Sequence, residues 1–211
     1  MKKFFSLLAF ASVLLIGCKP NSNEGPVDPD SGKEVVVWSN NGANPDWSSD
    51  QHVQSGDYWA DAYIYTWFDQ ATIDENEADA SYLGLFRISI YEWTEGDGKY
   101  EANYFKTFDL SKYSSATFTF DWARFKYGPE DLDTILAKGE TGDYEAVKVP
   151  VACPVITDAS TIPSCLVNCG KIDLTKFCGG KVTLCIRSKT MDDGTAGTSL
   201  WRNFELKGVV K

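Results

Sequence analysis

From residue 34 onward the chain repeatedly alternates apolar and polar positions with a period of two, and no stretch keeps a convincing helical period. Val35-Val36-Val37-Trp38 is a short β-branched run. Residues 58–68 (YWADAYIYTWF) are ring-rich and partly alternating. Residues 85–93 (LFRISIYEW) place Phe86, Ile88 and Ile90 on one face and Arg87, Ser89, Tyr91 and Trp93 on the other. Residues 116–126 (ATFTFDWARFK) put Phe118, Phe120 and Trp122 together, against Thr117, Thr119, Asp121 and Phe125. Residues 144–152 read as a strand in which Pro150 marks an edge or a bulge. Residues 182–188 and 199–209 complete the set. Glycine-rich breakers separate these runs at 96–98, 128–129, 139–142, 179–180 and 194–197. The pattern predicts about eight mostly antiparallel strands, hence an all-β, antiparallel β-sandwich of jelly-roll type. Short helical turns are expected at 70–80 and 129–137, the second because Pro129-Glu130-Asp131 suits a helix start.

One internal echo stands out. Phe108-Asp109-Leu110-Ser111-Lys112-Tyr113 and Ile172-Asp173-Leu174-Thr175-Lys176-Phe177 each precede a strand. Each is an Asp–apolar–hydroxyl turn ending in an aromatic. Such a carboxylate accepts backbone N–H groups within the turn, and the apolar residues plug the end of a sandwich.

The first residues read as an address rather than as structure. Lys2 and Lys3 precede an apolar run from Phe4 to Ile16, too short for a stable membrane span. Leu15-Ile16-Gly17-Cys18 resembles the lipobox of bacterial lipoproteins, which implies cleavage after residue 17 and diacylation of Cys18, palmitate among the acyl chains. Residues 19–33 (KPNSNEGPVDPDSGK) carry three prolines, no aromatic and one aliphatic residue, so they form a flexible tether. The expected organisation is signal 1–17, lipidated Cys and tether 18–33, and one sandwich domain 34–211. A domain of that size buries roughly 70% of its unfolded surface, so it folds without a metal or a disulfide.

Charge narrows the function. Net charge is −10 over 211 residues, and −12 without residues 1–17 and their two lysines. So acidic a surface repels phosphate backbones, and no nucleic-acid partner is expected. One histidine supplies neither a multi-His zinc site nor a usual His relay. Glu95 and Asp97 sit in a glycine turn, a poor mount for a rigid acid–base pair, and Asp121 with Arg124 reads as a structural pair. No nucleophile elbow, phosphate loop or metalloprotease helix occurs, so no enzyme is expected.

Seven Trp, ten Tyr and twelve Phe leave a surplus of rings to place. Trp59, Asp61, Tyr63, Tyr65 and Trp67 share parity along 58–68. Paired with Arg87, Tyr91 and Trp93 on one side, they would form a sugar-binding platform in which rings stack on C–H faces and planar polar groups fix hydroxyls. The competing reading is that these rings are core. Residues 40–57 form a long polar loop in which Trp47 is either exposed for a ligand or a lid on the core, and His52 is an ordinary loop residue. Cys153, Cys165, Cys169, Cys178 and Cys185 crowd into 33 residues; one or two disulfides are favoured in an envelope setting, with free thiols or a metal as alternatives. Acidic loops leave a structural calcium open against plain solvated charge.

Residues 104–211 resemble the galactose-binding-like and choice-of-anchor J jelly-roll modules of Gram-negative surface lipoproteins. The resemblance rests on FKTFDLSKYSSATFTFDW, on IDLTKFCGGKVTLCIRS, and on the closing Trp201-Arg202-Asn203-Phe204-Glu205-Leu206 strand. It implies a lipid-anchored outer-membrane module facing the periplasm or the exterior, with no obligate cofactor. It also places Glu205 where related modules sometimes ligate calcium. The expected function is non-catalytic carbohydrate binding through Trp47, Trp59, Asp61, Tyr63, Trp67, Arg87, Tyr91 and Trp93. The alternative is a structural or protein-interaction subunit of a surface uptake or adhesion complex.

Overall fold

The computed structural model describes residues 29–40, 47–55, 63–90, 99–125, 132–190 and 197–211. The strands there are β1 (Glu34–Ser39), β2 (Ser48–Ser55), β3 (Tyr63–Trp67), β4 (Phe86–Ile90), β5 (Lys99–Asp109), β6 (Tyr113–Phe125), β7 (Leu132–Lys138), β8 (Glu145–Ala146), β9 (Val155–Ile156), β10 (Val167–Asn168), β11 (Ile172–Asp173), β12 (Lys181–Thr190) and β13 (Gly197–Val210). The first sheet runs β10-β6-β13-β4-β3, with β1 also on β13 and β9 and β11 also on β6; the second runs β2-β5-β12-β7-β8. The chain changes sheet at most connections, and all pairings are antiparallel except β6 with β9. The fold is the expected β-sandwich of jelly-roll type.

Alternation decides which face is core. Phe118, Phe120 and Trp122 of β6, Phe86 and Ile88 of β4, and Trp201, Phe204 and Leu206 of β13 are buried from the first sheet. Ala102, Tyr104 and Phe108 of β5, Ile135 and Ala137 of β7, and Val182, Leu184 and Ile186 of β12 meet them from the second. A buried polar pin crosses the layers: Ser188 and Ser199 hydroxyls lie 2.7 Å apart, and both donate to Asp133 Oδ1, at 2.6 and 2.5 Å.

A second, smaller cluster lies on the outer face of the first sheet. Ala123 and Leu200 sit there beneath Phe68, Ile73 and Leu85. The cap over them is helix α1 (Gln70–Glu75) and the turn 80–82. Asp69 and Asp79 start these two turns by accepting N–H bonds from Thr72 and Ser81, at 2.8 Å each. Among the described residues no helix is long and apolar enough to cross a membrane.

Several expectations need correction. Residues 132–138 are a strand, not a helical turn: β7 pairs with β12 from Leu132↔Lys189 to Lys138↔Thr183, and that ladder overrides the acidic start. The loop 40–57 contains β2, a polar edge strand paired with β5, so His52 sits in a strand opposite Glu101. Most of 144–152 is irregular, with only Glu145–Ala146 paired. β5 was not anticipated at all.

The repeated turn behaves as read. Asp109 Oδ1 accepts from the Ser111 N–H at 2.9 Å, and Asp173 Oδ1 from the Thr175 N–H at 2.8 Å. Leu110 and Leu174 are fully buried plugs. The hydroxyl and N–H of Ser111, and those of Thr175, hold the two carboxyls below their ordinary range. A depressed folded-state value contributes stability above the unfolded value of about 4, and that contribution is lost as pH falls through the folded value. The thermal midpoint is therefore expected to fall on acidification below about pH 4, and Asp109→Asn with Asp173→Asn should flatten that fall. A second test concerns Gly208, whose ideal Cβ would lie 2.6 Å from Cδ1 and 2.8 Å from Cγ of the Tyr113 ring. Gly208→Ala should cost roughly 1–3 kcal/mol, read as a lower urea midpoint.

Candidate functional site

The register of β13 against β6 slips between Arg202 and Glu205 and again between Val209 and Val210. At the first slip, Arg202 faces Asp121 and Glu205 faces Thr119, so Asn203 and Phe204 together oppose the single residue Phe120. This is a β-bulge, and Asn203 adopts the left-handed conformation it needs, φ 55°. The extra residue sends Phe204 into the core and leaves Arg202, Asn203 and Glu205 on the outer face. Beside the bulge β1 ends, and the Asn40 N–H donates to the Phe204 carbonyl at 2.9 Å.

A concavity of about 600 Å³ opens there. Its polar lining comes from Ser39 and Asn40 after β1, Thr119 and Asp121 on β6, Asn168 on β10, and Arg202, Asn203 and Glu205 on β13. Ala80, Leu83 and Gly84 of the α1 cap form the apolar wall. The volume falls within the roughly 300–1,000 Å³ usual for small-ligand sites.

The polar groups hold one another in place. Asp121 Oδ1 accepts from Asn168 Nδ2 at 2.9 Å, and Oδ2 accepts from Asn203 Nδ2 at 2.7 Å. Asn168 Oδ1 is fixed in turn by the Gly170 N–H at 2.9 Å. Arg202 Nη1 donates to the Ser81 carbonyl at 3.2 Å, tying the cap to the strand. Glu205 Oε1 lies 2.7 Å from Lys207 Nζ. The result is a set of planar amide, carboxylate and guanidinium groups on a rigid strand floor, the type of surface that reads hydroxyl positions. Asp121 is thus held by two amides and Glu205 is paired with a lysine.

Most residues singled out from the sequence lie elsewhere. In the β3–β4 register Tyr63 faces Ile90, Tyr65 faces Ile88 and Trp67 faces Phe86. Ile88 and Phe86 are core, and Trp67 stacks on Phe86 at 3.9 Å and 8°. Trp67 thus lies on the inward face of the sheet. Arg87, one position away, is on the outer face under the cap, its guanidinium 5.4 Å from the Phe68 ring. Trp67 and Arg87, two members of the expected platform, therefore lie on opposite faces of the sheet. Trp47 is a half-buried lid, 6.4 Å from Trp38 and 5.7 Å from Phe204, rather than an exposed ring. Asp121 and Arg124 do not pair through one face either: Asp121 points outward, and Arg124 lines a separate pocket with Trp122 and Asp133. Trp59, Asp61, Tyr91, Trp93 and Cys18 lie outside the described residues. Of the expected residues that are described, only Glu205 reaches the concavity.

Among the described residues no group of three or more His, Cys, Asp or Glu is placed to hold a metal. The expected disulfides are absent too: Cys153, Cys165, Cys169, Cys178 and Cys185 are all free. Each occupies its own packing niche. The Cys169 thiol accepts from the Phe120 N–H at 3.3 Å and donates to the Gly170 carbonyl at 3.1 Å. Burial pushes the Cys169 thiol up to about 11 and the Cys153 thiol higher still.

The outer face of the second sheet is a different kind of surface. Arg187 Nε donates to Asn103 Oδ1 at 2.8 Å, and Tyr144 packs 5.7 Å from Phe105 with Lys138 above it. Asn103, Leu136 and Cys185 are buried there.

The signal for the concavity was legible in Trp201-Arg202-Asn203-Phe204-Glu205-Leu206. Two polar residues in succession break a strict alternation, and the second is Asn, which tolerates the left-handed region.

No protein-family model and no curated protein matches the chain. Among solved structures it is similar to TmCBM61 in complex with β-1,4-galactotriose, at 10% identity and a TM-score of 0.44, over 78% of this chain and 90% of that one. A likeness so distant decides nothing about the ligand.

Proposed function

We propose that this protein is a non-catalytic, lipid-anchored module of the bacterial outer membrane whose β-sandwich binds carbohydrate in the concavity beside the β13 bulge. The observation that carries the reading is the Asp121–Asn168–Asn203 network with Arg202 and Glu205: planar polar groups held on strands around a site of sugar size. The site offers no broad exposed ring in its lining, so recognition rests on hydroxyl hydrogen bonds, with Leu83 and Ala80 supplying the apolar contact. The acidic chain and the two lining carboxylates favour a neutral glycan over an anionic one. The anchor is Cys18, and the facing side is the periplasm or the cell exterior.

For one shallow site, dissociation constants between about 1 µM and 1 mM are expected. A screen of neutral polysaccharides and oligosaccharides by gel retardation and calorimetry tests the reading. Asn203→Gly keeps the left-handed backbone while removing the amide, so it should leave the fold intact and weaken binding by about tenfold or more. No retention across the panel would remove the carbohydrate reading and leave the accessory-subunit one. Separately, Cys18→Ala should move the protein from the detergent phase to the aqueous phase; continued partitioning would sink the lipid anchor.

A further inference from the structure

The concavity contains one group that the rest of the fold leaves unsatisfied. Asn40 is 6% exposed, yet neither its Oδ1 nor its Nδ2 has a hydrogen-bond partner. Its backbone is fixed, since its N–H donates to the Phe204 carbonyl of the bulge. Its side chain is the buried polar member of the described lining residues. A buried amide missing its partners is destabilising, and an apolar side chain of the same size would serve the fold better. The unpaired indole N–H groups of Trp47, Trp122 and Trp201 are different, because none of those residues lines this concavity.

We propose that Asn40 is the specificity-determining residue of the site and takes a vicinal pair of hydroxyls on a neutral sugar. The inference rests on the carbohydrate reading above. An amide presents a donor and an acceptor side by side in one plane. Two adjacent sugar hydroxyls present the matching pair: one oxygen accepts from Nδ2 while the other hydroxyl donates to Oδ1. Neither Asn40 atom is open to solvent in the ligand-free arrangement. A small rotation of this short side chain turns the pair toward the ligand and satisfies both atoms at once. Asp121 and Glu205 outnumber Arg202 in the lining, so a uronate or sulfated sugar meets repulsion where a neutral diol does not. A site built to bond a hydroxyl rejects analogues that lack it, because the protein group is then left buried and unpaired.

The test uses the full chain and a panel of neutral oligosaccharides, each with its terminal deoxy analogues and its uronic-acid counterpart. Wild type should prefer the intact diol over the deoxy analogue by about tenfold or more. Asn40→Leu should raise the ligand-free thermal midpoint, lower affinity for the intact sugar, and erase that preference. If Asn40→Leu does not fold, Asn40→Asp, which keeps the size and loses the donor, is read for the same loss of preference. An unchanged preference in the variant that folds overturns the role of Asn40. If Asn203→Gly still abolishes binding in that case, the carbohydrate reading stands without it. If wild type binds no sugar in the panel, both fall together.

Discussion

The bulge at Asn203–Phe204 is the constraint on which the rest of the structure depends. One extra residue in β13 lets the consecutive Arg202 and Asn203 both face outward, which brings Phe204 and Leu206 onto the same inward face as Trp201. Phe204 then becomes the hub of the aromatic core, with ring centroids 5.7 Å from Trp47, 5.9 Å from Phe120, 6.1 Å from Phe118, 6.3 Å from Trp67 and 6.5 Å from Trp38. The left-handed residue costs on the order of 1–2 kcal/mol, and less for Asn. A ring pair contributes about 0.5–1.5 kcal/mol beyond its buried area. Even with strong non-additivity among the five pairs, packing outweighs strain. The bulge is held because the core holds it.

The same packing explains why the outward side chains form a site and not a mobile fringe. Asp121 and Thr119 alternate with Phe118, Phe120 and Trp122, so their positions are set by buried rings on either side. The Asp133–Ser188–Ser199 pin fixes the two sheets against each other, and the Leu110 and Leu174 plugs close the sandwich. The wall of the concavity comes from the cap, which is itself seated on Ala123 and Leu200 and tied through Arg202. Pre-organised polar groups lose little freedom on binding, which is what a site without a large stacking ring requires.

The fold was legible wherever one face of a strand was buried and the other was not. β6 alternates cleanly from Ala116 to Trp122, and the two Asp–Leu–hydroxyl turns announce strand entries by a mechanism that needs no tertiary context. β7 was misread because Ile135, Leu136 and Ala137 are all buried, so the period of two disappears. β5 was missed for a related reason: Asn103 is buried on the outer face as Ala102 and Tyr104 are on the inner one. β2 is a polar edge strand whose partner supplies its identity. The separation of Trp67 from Arg87 turned on a different point. Parity within a strand can be read from sequence, but register between strands cannot, and it set Trp67 opposite Phe86 while Arg87 took the other face.

Two places where local and global preferences conflict lie side by side at the concavity. Asn203 holds a backbone conformation that ordinary residues avoid, and Asn40 buries an amide that nothing in the fold satisfies. The two are joined by the bond from the Asn40 N–H to the Phe204 carbonyl, so they belong to one feature. The strain at Asn203 has a structural return in Phe204. The desolvated amide of Asn40 has none within the chain. Conflict of that second kind collects where a protein is shaped for something other than its own stability. That asymmetry, more than the size of the concavity, is what supports the outer face of the first sheet as the proposed ligand site.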